Sequence, residues 1–399
     1  MRMVFLVAFV AMLATKASAS NFEFASPPGP FSVGLRIADL YDRSRSFEGD
    51  PARSGGGARP IQAMIWYPAQ PGGQPMRYRQ LIEIAAGEDD FDRGESERNR
   101  IVSEDLARKS KRLPGELVAQ EMMRPTGSVR DAQSRTGRFP IVVYAPSANA
   151  SAYENDVLCE YLASYGYIVI ASPSMGEKSR QMTLDLEGAE AQAADIEFLI
   201  GHAETLPDAD PRHVAVAGFS WGGISNVVAA ARDSRIKALI CLDGSVRYFS
   251  SLVNGGATAA KGVLAERLEI PMLSLARPFN LEWNQQNKTD ISYSFITHMK
   301  HSDIFSVVLF PLGHGDFSSS QDRFAPESDM TREADIGDFN SYTRQEKSIA
   351  YSWMARYVLA FLDGYLKKDQ EGLAFMHRRP EQNGVPNHMI LIESRRADR

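Results

Sequence analysis

His213-Val214-Ala215-Val216-Ala217-Gly218-Phe219-Ser220-Trp221-Gly222-Gly223 is the stretch on which the reading of this chain turns. Its first half, His213–Gly218, is apolar and β-branched, as a buried strand is. Its second half runs without a linker into Gly222–Arg232, a segment rich in Ala and Val with helical character. A strand that feeds a helix through so few residues makes a turn that admits only small neighbours, and Gly218 and Gly222 supply them. The serine between them is then held in strained backbone geometry above the strand end, beside the first amides of the helix. Ser220 in this strand–turn–helix setting is the candidate nucleophile. The competing reading is a glycine-rich turn with a bystander serine.

Working outward, the same alternation recurs. Pro140–Ala145, Tyr167–Ser172, Lys237–Asp243, Pro271–Ala276 and Phe305–Pro311 read as apolar strands. Tyr153–Tyr165, Glu187–His202, Thr289–His301 and Tyr342–Leu366 read as helices, with Gly166 closing the first of these. Strands alternating with helices imply parallel βαβ units, and strands apolar along their whole length imply a sheet covered on both faces. The expected fold class is therefore α/β, a mostly parallel central sheet with helices on both sides. Val33–Leu40 and Ile61–Tyr67 add two amino-terminal strands. Residues 87–138 are dense in Asp, Glu and Arg and poor in aromatics. They are expected as an insertion, either a lid-like segment or a solvated excursion, in a single domain over residues 20–368. Residues 369–399 are expected as a polar tail over the surface.

A serine hydroxyl attacks only when a base takes its proton. His314 follows the last apolar strand within Leu312-Gly313-His314-Gly315-Asp316, so it belongs at a carboxyl strand end, where open α/β sheets place their crevice. An acid must orient that imidazole. Asp243 ends the strand after the nucleophile helix and is the expected acid, with Glu282 and Asp290 in reserve and a helix N-cap as the alternative role. Asp316 is too near His314 in sequence to reach its far nitrogen. For the oxyanion, the expected backbone donors are the N–H groups of Trp221 and of Ala148, with Ser147 next in order. Ser147, Asn149, Tyr153, Phe279 and Phe317 are expected to line the substrate site. The aromatic residues near it, with Trp283 and Tyr248 among them, suggest an apolar acyl or leaving group.

The chain has 399 residues, 44% hydrophobic and 24% charged, with a formal net charge of −6. This is a globular balance without the basic blocks that nucleic acid would need. Residues 1–19 stand apart: Arg2, an apolar run Met3–Leu13, then Ala17-Ser18-Ala19. They read as a signal peptide cleaved after Ala19, since the apolar run falls short of the roughly 20 residues that span a bilayer. The expected location is secreted or periplasmic, with no stable membrane span. Export permits a disulfide, but Cys159 falls in a helix and Cys241 in a central strand, so both read as buried small residues.

Taken together, the Gly-x-Ser-x-Gly turn, the acid one strand after it and the Gly-His-Gly turn resemble the platelet-activating-factor acetylhydrolase and dienelactone-hydrolase-like branch of the α/β-hydrolases. Gly29-Pro30-Phe31-Ser32-Val33-Gly34 and Ala63-Met64-Ile65-Trp66-Tyr67-Pro68 are similar to its amino-terminal strands. The likeness covers Gly29 to Phe317 and the closing helix. It implies an α/β-hydrolase fold, a serine esterase acting on a small-molecule ester or lipid-like substrate, and neither metal nor organic cofactor. One position departs: Pro146-Ser147 stands where that branch carries His-Gly. The departure motivates a rival expectation, a catalytically degenerate binding protein on the same scaffold. An acyltransferase or peptidase would use the same three side chains.

Overall fold

The computed structural model describes residues 22–48, 54–254, 259–278, 285–286, 288–325 and 342–398. Residues 1–19, Phe279, Glu282 and Trp283, singled out above, lie outside the described residues. The frame is a sheet that begins with a long antiparallel pair, β1 (Ser32–Ser46) and β2 (Ala58–Ala69). Its parallel centre is β5 (Phe139–Ala145), β6 (Ile168–Ala171), β7 (Ala209–Phe219), β8 (Ile236–Leu242), β9 (Met272–Ala276) and β10 (Ile304–Leu309). With β3 (Pro75–Arg77), β4 (Pro125–Arg130) and β11 (Ile390–Arg395) the order is β11-β10-β9-β8-β7-β5-β6-β2-β1-β4-β3. This is the α/β-hydrolase fold expected from the sequence.

Period-2 alternation sends the side chains of each central strand into two separate cores. Val142, Tyr144, Ala215, Ala217 and Phe219 join one core, and Ile141, Val143, Val214 and Val216 join the other. The first core is covered by α4 (Asp156–Ser164) and the long α9 (Arg344–Leu366), which opens on a Thr343/Glu346 capping box. The second is covered by α5 (Leu186–Ala203) and α6 (Trp221–Ala230). Cys159 and Cys241 are buried, free thiols, one in each core.

Three local expectations need correction. The helix expected over Thr289–His301 shrinks to α7 (Ser294–His298). Asp290 accepts from the backbone N–H of Ser292 at 3.1 Å and of Ser294 at 2.7 Å, and this turn delays the helix by several residues. The insertion lies earlier in the chain than residues 87–138. It starts at β3, runs through α1 (Tyr78–Ala85), α2 (Glu95–Ser110) and α3 (Gly115–Met123), and is tied off by β4, which pairs with both β3 and β1. The tail is no loose wrap: α10 (Gln370–His377) packs on α9, and β11 extends the sheet antiparallel to β10. Ile390 and Ile392 carry enough apolar surface to hold it there, in a segment whose overall polarity hides them.

Buried charge supports this frame at one point in particular. The Arg59 guanidinium is fully buried on β2 and meets Asp195 of α5 through two parallel hydrogen bonds, 2.7 and 2.6 Å. Its remaining donors reach the carbonyls of Met175, Gly176 and Glu177. Removing the carboxylate strands a buried cation. Asp195→Ala is therefore expected to cost about 3–5 kcal/mol in urea unfolding. A loss below about 1 kcal/mol would show that Arg59 is satisfied by the carbonyls alone.

Candidate active site

At the carboxyl end of the sheet, β5, β7 and β8 finish side by side, with Ala145 opposite Gly218 and Gly218 opposite Cys241. Ser220 leaves β7 with φ 53° and ψ −116°, a left-handed conformation costly for a residue with a Cβ. It persists because the backbone is pinned on both sides. The Ser220 N–H donates to the Leu242 carbonyl at 3.1 Å, and the Ser220 carbonyl accepts from Gly223 at 3.0 Å and Ser245 at 2.9 Å. Gly222 is required for packing: a Cβ there would overlap the carbonyl of Ala145. A Cβ on Gly218 would strike Gly222 and the Asn226 amide.

Asp243, also at positive φ (40°), follows β8 and is tied to β9 by its N–H on the Leu275 carbonyl at 2.7 Å. It is 4% exposed. His314 arrives from β10 through a tight turn. Its Nδ1 lies 2.5 Å from Asp243 Oδ2 and its Nε2 lies 2.9 Å from Ser220 Oγ. Burial pushes the Asp243 carboxyl up, but the hydrogen bond and charge of His314, with the Arg277 guanidinium 3.5 Å away, outweigh it and hold the group below the usual carboxylate range. An ionised carboxylate only accepts, so His314 Nδ1 donates to it and Nε2 is left to accept from the serine hydroxyl. The structure thus brings Ser220, His314 and Asp243 into one hydrogen-bonded line. Asp290 spends its carboxylate on Ser292 and Ser294 instead.

The turn carrying His314 leads into the short α8 (Ser319–Arg323) and is itself anchored. Asp316 accepts from the Gly313 N–H at 2.8 Å and from Lys347 Nζ of α9 at 2.9 Å. The Phe219 ring packs 5.0 Å from the imidazole. The sequence shows Asp316 only as a residue too close to act as the acid, and its anchoring role needs the position of α9.

The loop after β5 is where expectation and structure diverge most. The Trp221 N–H opens α6 and so has no carbonyl one turn back to bond. The Ala148 N–H donates to no acceptor among the described residues, and the loop lies against the start of α6 through the Gly222–Ala145 approach. Both expected donors thus have unspent N–H groups. Ser147, by contrast, is not available to a substrate. Its N–H donates to Glu154 Oε2 at 2.8 Å and its hydroxyl donates to Glu154 Oε1. Asn149, at φ 62°, uses its side-chain oxygen to accept from the Met182 N–H at 2.7 Å, so it ties two loops together. Gln192 of α5 clamps the loop from beneath, donating to the Pro146 carbonyl at 2.8 Å and accepting from the Ser225 hydroxyl of α6 at 2.8 Å. Glu154 and Gln192 were invisible in the sequence because each looks like an ordinary polar residue on a helix or loop. The one available signal was Pro146-Ser147 itself, a departure that needed a partner elsewhere.

The remaining expected lining residues separate. Phe317 is wholly buried in the core, with its carbonyl accepting from Asn155 at 3.0 Å, so it does not line the site. Its ring belongs to the core that α4 and α9 cover. Tyr153 is nearly buried and reaches a cavity of about 400 Å³ between the insertion and the post-β5 loop. The Trp221 side chain is also buried, edge-on to Phe249. Among the described residues, no cluster of three or more His, Cys, Asp or Glu is arranged to hold a metal, and no helix is long and apolar enough to cross a membrane.

Comparison with known proteins agrees with this architecture. Residues 114–303, just under half of the chain, match the family described as X-Pro dipeptidyl-peptidase (S15 family). The match includes Ser220 and Asp243 and stops before His314. No curated protein matches the chain. Many solved structures do. One is a ferulic acid esterase from Streptomyces cinnamoneus, 22% identical, with a TM-score of 0.63 over 90% of this chain and 96% of that one. The chain is thus an α/β-hydrolase-fold protein with the side-chain constellation of a serine hydrolase.

If Glu154 holds the post-β5 loop in its working shape, Glu154→Ala will slow covalent labelling of Ser220 by a fluorophosphonate more than tenfold, toward the roughly 10²–10³-fold cost of a lost oxyanion donor. Glu154→Gln keeps one acceptor oxygen and is expected to slow it less. Equal labelling rates in all three proteins would remove Glu154 from the site.

Proposed function

We propose that this chain is a carboxylic-ester hydrolase that works through an acyl-enzyme. The observation that carries the reading is the unbroken line from Ser220 Oγ through His314 to a buried, ionised Asp243. Ser220 attacks the ester carbonyl as His314 Nε2 takes its proton. The oxyanion is met by the N–H groups of Trp221 and Ala148. His314 returns the proton to the leaving alcohol, Asp243 stabilises the imidazolium in between, and water releases the acid by the same route. The intact set of three side chains argues against a degenerate binding protein. The likeness to a ferulic acid esterase, which extends over nearly the whole of both chains, favours esters. The S15 match favours a second reading, a peptidase using the same residues.

Ser220→Ala is expected to abolish both phosphonate labelling and turnover of activated esters. His314→Ala and Asp243→Asn should lower kcat by about 10³–10⁴. Ester and Xaa-Pro amide panels at equal enzyme concentration separate the two readings: faster hydrolysis of the amides would make the protein a peptidase. We also propose export, with residues 1–19 removed. Amino-terminal sequencing of the protein recovered outside the cytoplasm should begin at Ser20, and a chain starting at Met1 would refute it.

A further inference from the structure

We propose that Arg277 is a positioning residue of the Ser220–His314–Asp243 line: its cation shares Asp243 with His314 and so keeps the imidazole unprotonated, and the site active, toward lower pH. The inference rests on the reading of these three side chains as a working triad, and it holds for an esterase and a peptidase alike.

The first observation is position. In the sheet, β9 lies between β8 and β10. β8 ends beside Asp243, β10 leads to His314, and Arg277 directly follows β9. The strand between the acid and the base thus ends on a cation. The Arg277 backbone N–H donates to Asp243 Oδ1 at 3.3 Å. Its Nε lies 3.5 Å from Oδ2, the same oxygen that His314 Nδ1 uses. Its Nη2 donates to the Tyr248 hydroxyl at 3.1 Å, which fixes the far end of the guanidinium. The side chains of Arg277 and Asp243 are 18% and 4% exposed, so salt and water screen the pair little.

The second observation is the balance of charge. A buried carboxylate beside a neutral imidazole carries one negative charge, and burying it is costly. Capturing a proton on either partner would relieve that cost and silence the base. Arg277 supplies the positive charge without a proton. Asp243 and His314 touch, so they take up that proton as one unit. A cation alongside disfavours the proton whichever partner holds it, and the sign of the effect is therefore fixed. Against its burial, the hydrogen bond and charge of His314, and then the charge of Arg277, hold the Asp243 carboxyl below the usual range.

The other ionisable groups around the pair are neutral, stacked or matched. Burial holds Tyr248 and Tyr293 above the ordinary phenol range, so both stay uncharged. The Arg247 guanidinium lies over the Tyr293 ring, 4.3 Å from its centroid. Asp316, on the His314 turn, is matched by Lys347 at 2.9 Å and Arg344 at 3.7 Å. Glu154 is bound by Ser147.

The experiment titrates the full chain, labelled with 15N-histidine, by NMR, with the His314 signals assigned through His314→Gln. It reads proton uptake without turnover. Arg277→Met removes the cation and keeps the backbone N–H. Its titration midpoint should lie about one pH unit above that of the wild type, and Arg277→Lys should move less than half as far. The acid limb of Ser220 labelling by a fluorophosphonate should move with it, so that on the low-pH side the rate falls about tenfold relative to its plateau. Thermal melting guards against a folding defect, and Arg277→Gln repeats the test with a different neutral side chain. An unmoved midpoint in a folded neutral variant overturns the proposal, even where the plateau rate drops, because a merely structural residue would do that. A Lys variant that moves as far as Met also overturns it. A moved midpoint in a protein that hydrolyses no ester supports the role of Arg277, and only the esterase reading then fails. An unmoved midpoint in a protein that hydrolyses esters leaves the esterase reading standing.

Discussion

The first turn of α6 presses its backbone onto the carboxyl end of β5, and this is possible only because Gly222 has no side chain. The carbonyls of Ala145 and Pro146 occupy the space a Cβ would need. Much follows from that approach. It forces Ser220 into a left-handed conformation at the crest of the turn. It also brings the loop after β5 against the start of α6. The sheet supplies the rest: β8 and β10 end at the same level, one on each side of β9, and deliver Asp243 and His314 to the same crest.

Close approach alone does not fix a loop, and the protein secures it with buried polar side chains. Gln192 joins the Pro146 carbonyl to Ser225, and Glu154 takes up both polar groups of Ser147. Asn149 reaches across to Met182, in the segment whose start, Met175–Glu177, is bound by Arg59. A buried network of this kind is useful only when every member is satisfied. Burial pushes the Glu154 carboxyl up, while the Ser147 hydroxyl and N–H lower it; burial prevails, so the clamp is held at some electrostatic cost.

Much of this was legible in the sequence, for a definable reason. The central strands are apolar on both faces and the turn at Ser220 is constrained by sterics, so both leave local signatures. His314 and Asp243 were readable because the fold fixes which strand ends face the crevice. What could not be read depends on contacts distant in sequence. Glu154, Gln192 and Asp316 are polar residues whose importance comes from partners on other elements. Phe317 misled because an aromatic beside a candidate base looks the same whether it faces a ligand or the core. β11 leaves little trace in the sequence because an edge strand with one buried face has a weak alternating pattern, here diluted by Glu393, Ser394 and Arg395.

The insertion enters and leaves through β3 and β4, a short pair at the far margin of the sheet, several strands from β7. Its three helices nevertheless pack into the same apolar core as the sheet, through Tyr78, Leu81, Ile82, Val102, Val118 and Met122, while contributing none of the three side chains at the crest. The crest and the cavity beside it are thus built jointly, the cavity from the insertion together with the loop after β5 and the segment after His314. Exchanging residues 75–130 for another segment would therefore replace part of the core along with part of the wall, so any graft has to repack as well as pair.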